Sequence, residues 1–341
     1  MTRTRLTVLS VIATLAVATA FVGVVMATSG GGGDLTVYSA RSHYGEEQPF
    51  KDFAKDRSAS LDLFGGDANS LFERLRSEGE STKADVLITV DAANLWRAEQ
   101  AGLLAPIDST VANRNVPEGL RDHDGEWYGL TVRARTIMRS TERVEEDDVT
   151  TYAGLGDERW KAKLCLRSGT SEYNISFVAD RIAKDGEART RRLIQSWMAN
   201  QPTIFGSDTD VLKAIANDRC DVGLANSYYL GRELEEDEDF PVAPVWADQD
   251  GRGTHLNLSG IGVVAGSDHA EQAQRLIEFL TSPSKQRVFA SNNHEFGVAP
   301  DVETTPEIAQ FGGFKRDPID VAAAGEHLDD AVKLMNDLGW R

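Results

Sequence analysis

The sequence predicts an α/β protein built as two lobes. Its 341 residues are 41% hydrophobic and 26% charged, enough length and apolar content for two packed cores. Short β-rich runs alternate with helical stretches, a pattern that gives a mostly parallel sheet covered on both faces. The alternation comes in two series, the second opening on the strand-rich stretch Trp127 to Met138.

In the first series, Leu35-Thr-Val-Tyr-Ser-Ala40 reads as a strand and Glu46 to Asp56 as a helix with Phe50, Phe53 and Ala54 on one side. Ser60-Leu-Asp-Leu-Phe64 repeats the strand pattern. Asp67 or Asn69 caps the helix Ser70 to Glu78, which Gly79 ends. Ala84-Asp-Val-Leu-Ile-Thr-Val90 is a buried-strand run feeding a helix over Ala93 to Ala101. In the second series, Leu164-Cys-Leu166 is a short strand ending at Ser168-Gly169, and Asn174 to Lys184, Arg189 to Asn200 and Asp208 to Asn217 are helical. Cys220-Asp-Val-Gly-Leu-Ala225 is another buried strand, followed by Asn226-Ser-Tyr-Tyr229. Glu233 to Asp239 holds six acidic residues in seven and reads as a solvated loop. Leu256 to Ala265 is a strand, Ala270 to Leu280 an amphipathic helix and Leu328 to Leu338 a closing helix. Thr131 to Thr136 and Leu256 to Ile261 are the extended stretches placed to cross between lobes.

Arg3 and Arg5 precede an uncharged run from Leu6 to Ala27, with Val25 and Ala27 beside a cleavage point, so residues 1–27 read as a secretory signal. The run is also long enough to remain as an anchor. Residues 28–33 then form a flexible glycine-rich leader. Both readings place the folded chain in the periplasm or another extracytoplasmic space. Lys and Arg total 36 against 54 Asp and Glu, and the net charge of -18 argues against nucleic acid or anionic lipid as a partner. Two cysteines, Cys165 and Cys220, exclude a disulfide scaffold, a Cys-rich zinc site and an iron–sulfur cluster. Each lies eight residues before a tyrosine, Tyr173 and Tyr228, so their segments are expected side by side and joined by one disulfide.

Ligands of an open α/β sheet gather beyond the carboxyl ends of its strands. Ser168, Tyr173, Tyr228 and Tyr229 all fall there, and Tyr44 with His43 follows the first strand. Phenolate is a hard anionic donor, and with an ordinary pKa near 10 it ionises near neutral pH only beside a strongly polarising cation. Ferric iron meets that demand: three phenolates neutralise it, an imidazole supplies a nitrogen, and a fourth phenolate or small anion completes the sphere. Each tyrosine taken singly also fits a half-buried strand end with its hydroxyl on water.

The chain resembles the periplasmic ferric-iron-binding proteins of ABC importers, in the tyrosine-rich branch that includes the cyanobacterial iron-binding proteins. The resemblance runs from Leu35 to Arg341. It is carried by Val37-Tyr-Ser-Ala-Arg41 with His43-Tyr44, Ala84-Asp-Val-Leu-Ile-Thr-Val-Asp-Ala92, Trp127-Tyr-Gly-Leu130 with Arg133-Ala-Arg135, Leu164-Cys-Leu-Arg-Ser-Gly169 with Tyr173-Asn174, Cys220 to Tyr229, Leu258-Ser-Gly-Ile-Gly262 and Gly339-Trp340. It implies a two-lobed periplasmic-binding-protein fold with a hinge and an inter-lobe cleft, residues 34–132 and 259–307 in one lobe and 133–258 and 308–341 in the other. It also implies Fe(III) as the transported ligand, held by Tyr44, Tyr173, Tyr228 and Tyr229 with His43 as a fifth ligand. Arg133 is then expected to hold an accompanying anion such as carbonate or to offset phenolate charge, or else to form a lobe-crossing salt bridge. Ser168 and Gly169 form a neighbouring anion-binding turn. Asp91 is read as structural. The opening reads Arg41-Ser-His-Tyr44 where the family pattern is Arg-His-Tyr.

The resemblance implies a monomer that delivers iron to a permease and its ATPase, with the second-lobe tyrosines binding first and His43 and Tyr44 engaging as the cleft closes. The alternative is a protein of the same fold for a small organic or anionic solute, stacked on Trp127, Tyr128 and the tyrosine pair. An enzyme is not expected, since neither a Gly-x-Ser-x-Gly elbow nor a His-Glu-x-x-His pair occurs.

Overall fold

The computed structural model describes residues 35–45, 47–57, 59–299 and 302–341. The export signal and leader expected over 1–33 lie outside the described residues. Among those described, no helix is long and apolar enough to cross a membrane.

Strands β1 (Leu35–Ser39), β2 (Leu61–Gly65) and β3 (Val86–Thr89) are parallel, and they alternate with helices α1 (Gln48–Arg57), α2 (Ala68–Glu78) and α3 (Ala92–Gln100). Asp67 caps α2 by accepting from the Ser70 amide at 2.9 Å, and Gly79, with φ at +51°, ends it. Asp91 caps α3 in the same way, accepting from Asn94 N and Nδ2 at 2.8 and 3.0 Å. Its role is therefore structural, and burial pushes its carboxyl up to about 6.

After β4 (Leu104–Ala105) and α4 (Thr110–Asn115) comes β5 (Tyr128–Ser140), 13 residues long and buried along nearly its whole length. The following elements are β6 (Leu164–Arg167), α5 (Glu172–Asp185), α6 (Glu187–Ala199), β7 (Thr203–Phe205), α7 (Asp208–Ala216), β8 (Val222–Asn226), α8 (Ser227–Glu236) and β9 (Val242–Val245). The chain continues through β10 (Leu256–Val264), α9 (Ala270–Leu280), α10 (Pro283–Asn293), β11 (Phe296–Gly297), α11 (Pro306–Ala309), α12 (Val321–Glu326) and α13 (Leu328–Asp337).

The strand path is β2-β1-β3-β10-β5-β8-β6-β7, and β5 is its pivot. Residues up to Ala134 pair with β10, and Val132 pairs with Phe296 of β11. From Arg135 onward the same strand pairs with β8 and β9. One hydrophobic core, with Val37, Ile88, Leu130, Leu258 and Leu276, lies on the first side of this switch; two more, one with Leu166, Phe177, Trp197 and Val222 and one with Cys165, Val211, Leu212 and Leu230, belong to the second. The α/β fold is thus two-lobed, and Thr131 to Thr136 and Leu256 to Ile261 do lie on β5 and β10. The terminal Trp340 closes the second core, 5.9 Å from the Trp197 ring, and donates to Arg167 O at 2.8 Å.

The acidic run departs from expectation. Helix α8 continues through Glu236, because Leu230, Glu233 and Leu234 form its inner face. Glu233 is buried there, 3.5 Å from Lys213 Nζ, so only the residues beyond Glu236 form the loop. Helix α10 escaped the sequence reading: its polar run lacks an apolar stripe, and it is held by Pro283 at its first turn and by Phe289 and Ala290 in the core.

Strands β6 and β8 are parallel neighbours, Cys165 facing Gly223, and Cys165 and Cys220 are joined by a disulfide with 5.8 Å between Cα atoms. The bond closes a 55-residue separation that carries α5, α6 and α7. Replacing both cysteines with Ala is expected to cost about 2–4 kcal/mol in urea unfolding. Two alkylatable thiols in the native, unreduced protein would contradict the bond.

Candidate metal site

Three chain turns supply the aromatic donors. After β1 the chain folds into a single helical turn, Ser42–Tyr44, closed by Tyr44 N donating to Arg41 O at 2.9 Å. Gly65 makes room for it, since a Cβ there would sit 2.6 Å from Ser42 Cβ. Tyr173 stands in the first turn of α5, whose entry is tied down by Asn174 Nδ2 donating to Arg167 O and Ser168 O at 3.0 and 2.9 Å. Tyr228 and Tyr229 stand in the first turn of α8, directly after β8. On an extended strand, adjacent side chains face opposite ways. The immediate start of the helix turns them about 100° apart instead, and the two rings pack 4.2 Å centroid to centroid.

The three turns meet. Tyr228 Oη donates to Tyr173 Oη at 3.4 Å, both residues being almost wholly buried. The Tyr44 ring lies 5.7 Å from that of Tyr228, and the His43 ring lies 4.0 Å from Tyr44 and 6.5 Å from Tyr228. Tyr44 and Tyr229 are half-buried and His43 is the most open of the five. Among the described residues, no three His, Cys, Asp or Glu side chains converge as a metal-binding group, so phenols dominate this cluster.

Burial raises all four phenols above their ordinary value near 10. At Tyr228 the neighbouring Tyr173 and Tyr44 oxygens raise it further, because several phenolates in one place repel. Four guanidiniums oppose this: Arg133 is 5.8 and 5.9 Å from the Tyr173 and Tyr228 rings, Arg167 is 5.2 Å from Tyr173, and Arg41 is 4.3 Å from Tyr44. Arg232 spans the rings of Tyr44, Tyr228 and Tyr229 at 4.9, 5.1 and 5.6 Å. Without a cation the phenols stay protonated. Although it is the most open of the five, the His43 ring loses part of its water to its neighbours and is repelled by Arg133 and Arg41, which hold its imidazole well below 6.5 and hence neutral, with a lone pair to donate.

A buried ionic hub stands behind Tyr44. Glu295 accepts from Tyr44 Oη at 2.7 Å, Arg41 Nη2 at 2.7 Å, Arg133 Nη2 at 2.8 Å and Thr131 Oγ1 at 3.1 Å. Burial alone would raise this carboxyl, but Arg41 and Arg133 pull it down to about 2. Arg41 also donates to Glu47, Thr131 and Ser259, tying the turn between β1 and α1 to β5 and β10. Arg133 gives its other amino group to Val90 O, leaving Nε without a partner.

Ser168 Oγ is 2.9 Å from Thr170 Oγ1, and Gly169 lies so close to Trp340 O that a Cβ would approach it to 2.3 Å. In the same turn Arg167 Nε and Nη1 and Ser171 Oγ are buried without partners. Tyr128 and Trp127 point elsewhere, to Asn113 Oδ1 at 3.0 Å and Glu99 at 2.7 Å, and do not join the tyrosine pair. Glu295 and Arg232 were missed in sequence. The available signals were an isolated acid entering the apolar run Phe296 to Ala299 and a basic residue one helical turn after Tyr228-Tyr229.

Residues 49–318 match the family model described as bacterial extracellular solute-binding protein. The chain belongs to this family. It is 38% identical over 317 residues to iron uptake protein A1 of Synechocystis, covering 90% of this chain and 88% of that one. Iron uptake protein A2 of the same organism is 39% identical, with 90% of each chain covered. Among solved structures, the Trichodesmium protein in complex with iron and citrate ligands superposes with a TM-score of 0.82 at 36% identity, over 90% of this family member and 99% of that chain. Apo ferric ion-binding protein A of Pasteurella haemolytica gives 0.84 at 33%, over 90% and 98%.

Removing the hub carboxylate strands two buried guanidiniums. Glu295→Ala is expected to lose roughly 3–5 kcal/mol in urea unfolding at pH 7. Because its folded pKa lies below the unfolded value of 4.5, the carboxylate's stabilisation is complete above that pH and disappears as pH falls through about 2. A loss under about 1 kcal/mol at pH 7 would contradict the hub.

Proposed function

We propose that this solute-binding protein captures Fe(III) in its inter-lobe cleft and hands it to an ABC permease and its ATPase, acting as a monomer outside the cytoplasm. The observation that carries the reading is the meeting of Tyr173 and Tyr228 oxygens at 3.4 Å with Tyr44 and Tyr229 beside them. Protonated, these buried phenols offer little to an organic solute; ionised, they form a dense anionic pocket that only a highly charged cation stabilises. The names of the relatives, iron uptake and ferric ion-binding proteins, support the same reading.

Tyr173, Tyr228 and Tyr229, braced by the disulfide and the starts of α5 and α8, form the platform that takes the ion first. Both helix N-termini favour the developing negative charge. Tyr44 and neutral His43 complete the sphere as the lobes approach, residues 34–132 and 259–307 moving against 133–258 and 308–341. Four phenolates around a trivalent ion leave one negative charge in excess, which Arg133 and Arg232 offset. An accompanying anion such as carbonate has its donors in the turn of Ser168 and Gly169, where Arg167 Nε and Nη1 are free.

Fe(III) is expected to give a visible phenolate charge-transfer band that is lost in the Tyr228→Phe, Tyr229→Phe variant; an unchanged band would exclude the site. Each phenol gives up a proton on binding, so affinity rises with pH and falls in acid. Competition against a chelator from pH 8 to pH 5 is expected to show iron release on acidification. Affinity that is independent of pH would contradict phenolate ligation.

A further inference from the structure

Three consecutive side chains from the last residue of α10 toward β11 reach in different directions. Asn293 Nδ2 donates to Glu47 Oε1 at 2.7 Å, beside Arg41. Glu295 holds Tyr44, Arg41 and Arg133. Between them, buried His294 adopts a left-handed backbone, φ 56° and ψ 25°, and faces α8. Its Nε2 is 3.2 Å from Glu235 Oε2, and its Nδ1 is 2.8 Å from Thr305 Oγ1 and 3.6 Å from Glu307 Oε2.

The contact with α8 is close enough to need a glycine. A Cβ on Gly231 would lie 2.5 Å from His294 Cβ and 2.6 Å from Cγ, a separation real Cβ atoms essentially never show. Gly231 has an ordinary helical backbone, so what its missing side chain provides is proximity. It follows Tyr228 and Tyr229 within the same helix, only two residues after the second ring. A displacement of α8 at Gly231 therefore moves both rings.

Resting on the reading of the site as an iron site, we infer that His294 and Gly231 are positioning residues: they set how closely the Tyr228-Tyr229 helix approaches Tyr44. The left-handed turn at His294 sends one side chain to α8 and the next, Glu295, to Tyr44. Two adjacent residues thereby fix the spacing between phenols from opposite sides of the cleft. The other side of the same segment is anchored by α10, whose Phe289 packs on Phe50 of α1 at 6.1 Å.

The test measures Fe(III) affinity by citrate competition and the position of the visible band in wild type, Gly231→Ala, His294→Gly and the double variant. Overpacking predicts that Gly231→Ala weakens retention by about tenfold or more and shifts the band. The same substitution made with His294→Gly should cost far less, because the clash is gone; the two changes are then strongly non-additive. Wild-type affinity and band in Gly231→Ala, or additive effects, would overturn the inference. Should Gly231→Ala fail to fold, His294→Asn serves, since Asn tolerates the left-handed backbone but falls short of Glu235. Weaker retention with a shifted band supports the inference, and unchanged values overturn it. A wild-type protein with no iron band would instead count against the iron reading itself.

Discussion

Four phenols packed together, two of them buried and two half-buried, form the constraint on which the rest of the structure depends. Desolvation raises each one, and the ionised forms repel one another. The cluster is thus neutral alone; in the proposed function it becomes a strong ligand when a multiply charged cation displaces its protons. The guanidiniums of Arg41, Arg133, Arg167 and Arg232 bring positive charge to the ring faces and edges without satisfying the phenol oxygens. They lower the cost of ionisation, while Tyr44 Oη, which donates to Glu295, has to give up that bond before it can ionise.

The sheet makes this arrangement possible. Strand β5 pairs with one half of the sheet up to Ala134 and with the other from Arg135, so the two halves share one continuous backbone while each presents its own strand ends. The turns after β1, β6 and β8 then deliver donors from both sides. On the second side the platform is stiff: β6 and β8 are neighbours tied by Cys165–Cys220, β8 runs straight into α8, and β6 reaches α5 through the short turn 168–171. On the first side Tyr44 is aimed by one carboxylate, Glu295, which also holds the guanidiniums of Arg41 and Arg133. In the proposed function, a stiff platform on one side and the aimed Tyr44 on the other would serve capture followed by closure.

Much of this was legible in sequence because it is local. Buried-strand runs, the cap at Asp67 and the matched Cys-to-Tyr spacings all come from chemistry within a few residues. That the tyrosines stand beyond the ends of β1, β6 and β8 was also legible, from the alternation of strand runs and helices. What escaped notice depends on partners far away in the chain. Glu295 is an unremarkable acid until Arg41, Thr131 and Arg133 surround it. Gly231 looks like a helix-weakening residue until His294 is seen against it. The acidic run misled because charge density suggests solvent, whereas Leu230 and Leu234 draw α8 and Glu233 inward. Trp127 and Tyr128, plausible ligand stackers by composition, are occupied by Glu99 and Asn113.

The central claim is that the phenol oxygens themselves bind the ion. Resonance Raman spectra of the Fe(III)-loaded protein, excited within its visible band, test this most directly. The account predicts enhanced tyrosinate ring modes that shift when the protein is grown with ring-deuterated tyrosine. Stoichiometric iron with no tyrosinate mode, or with modes indifferent to that label, would contradict it.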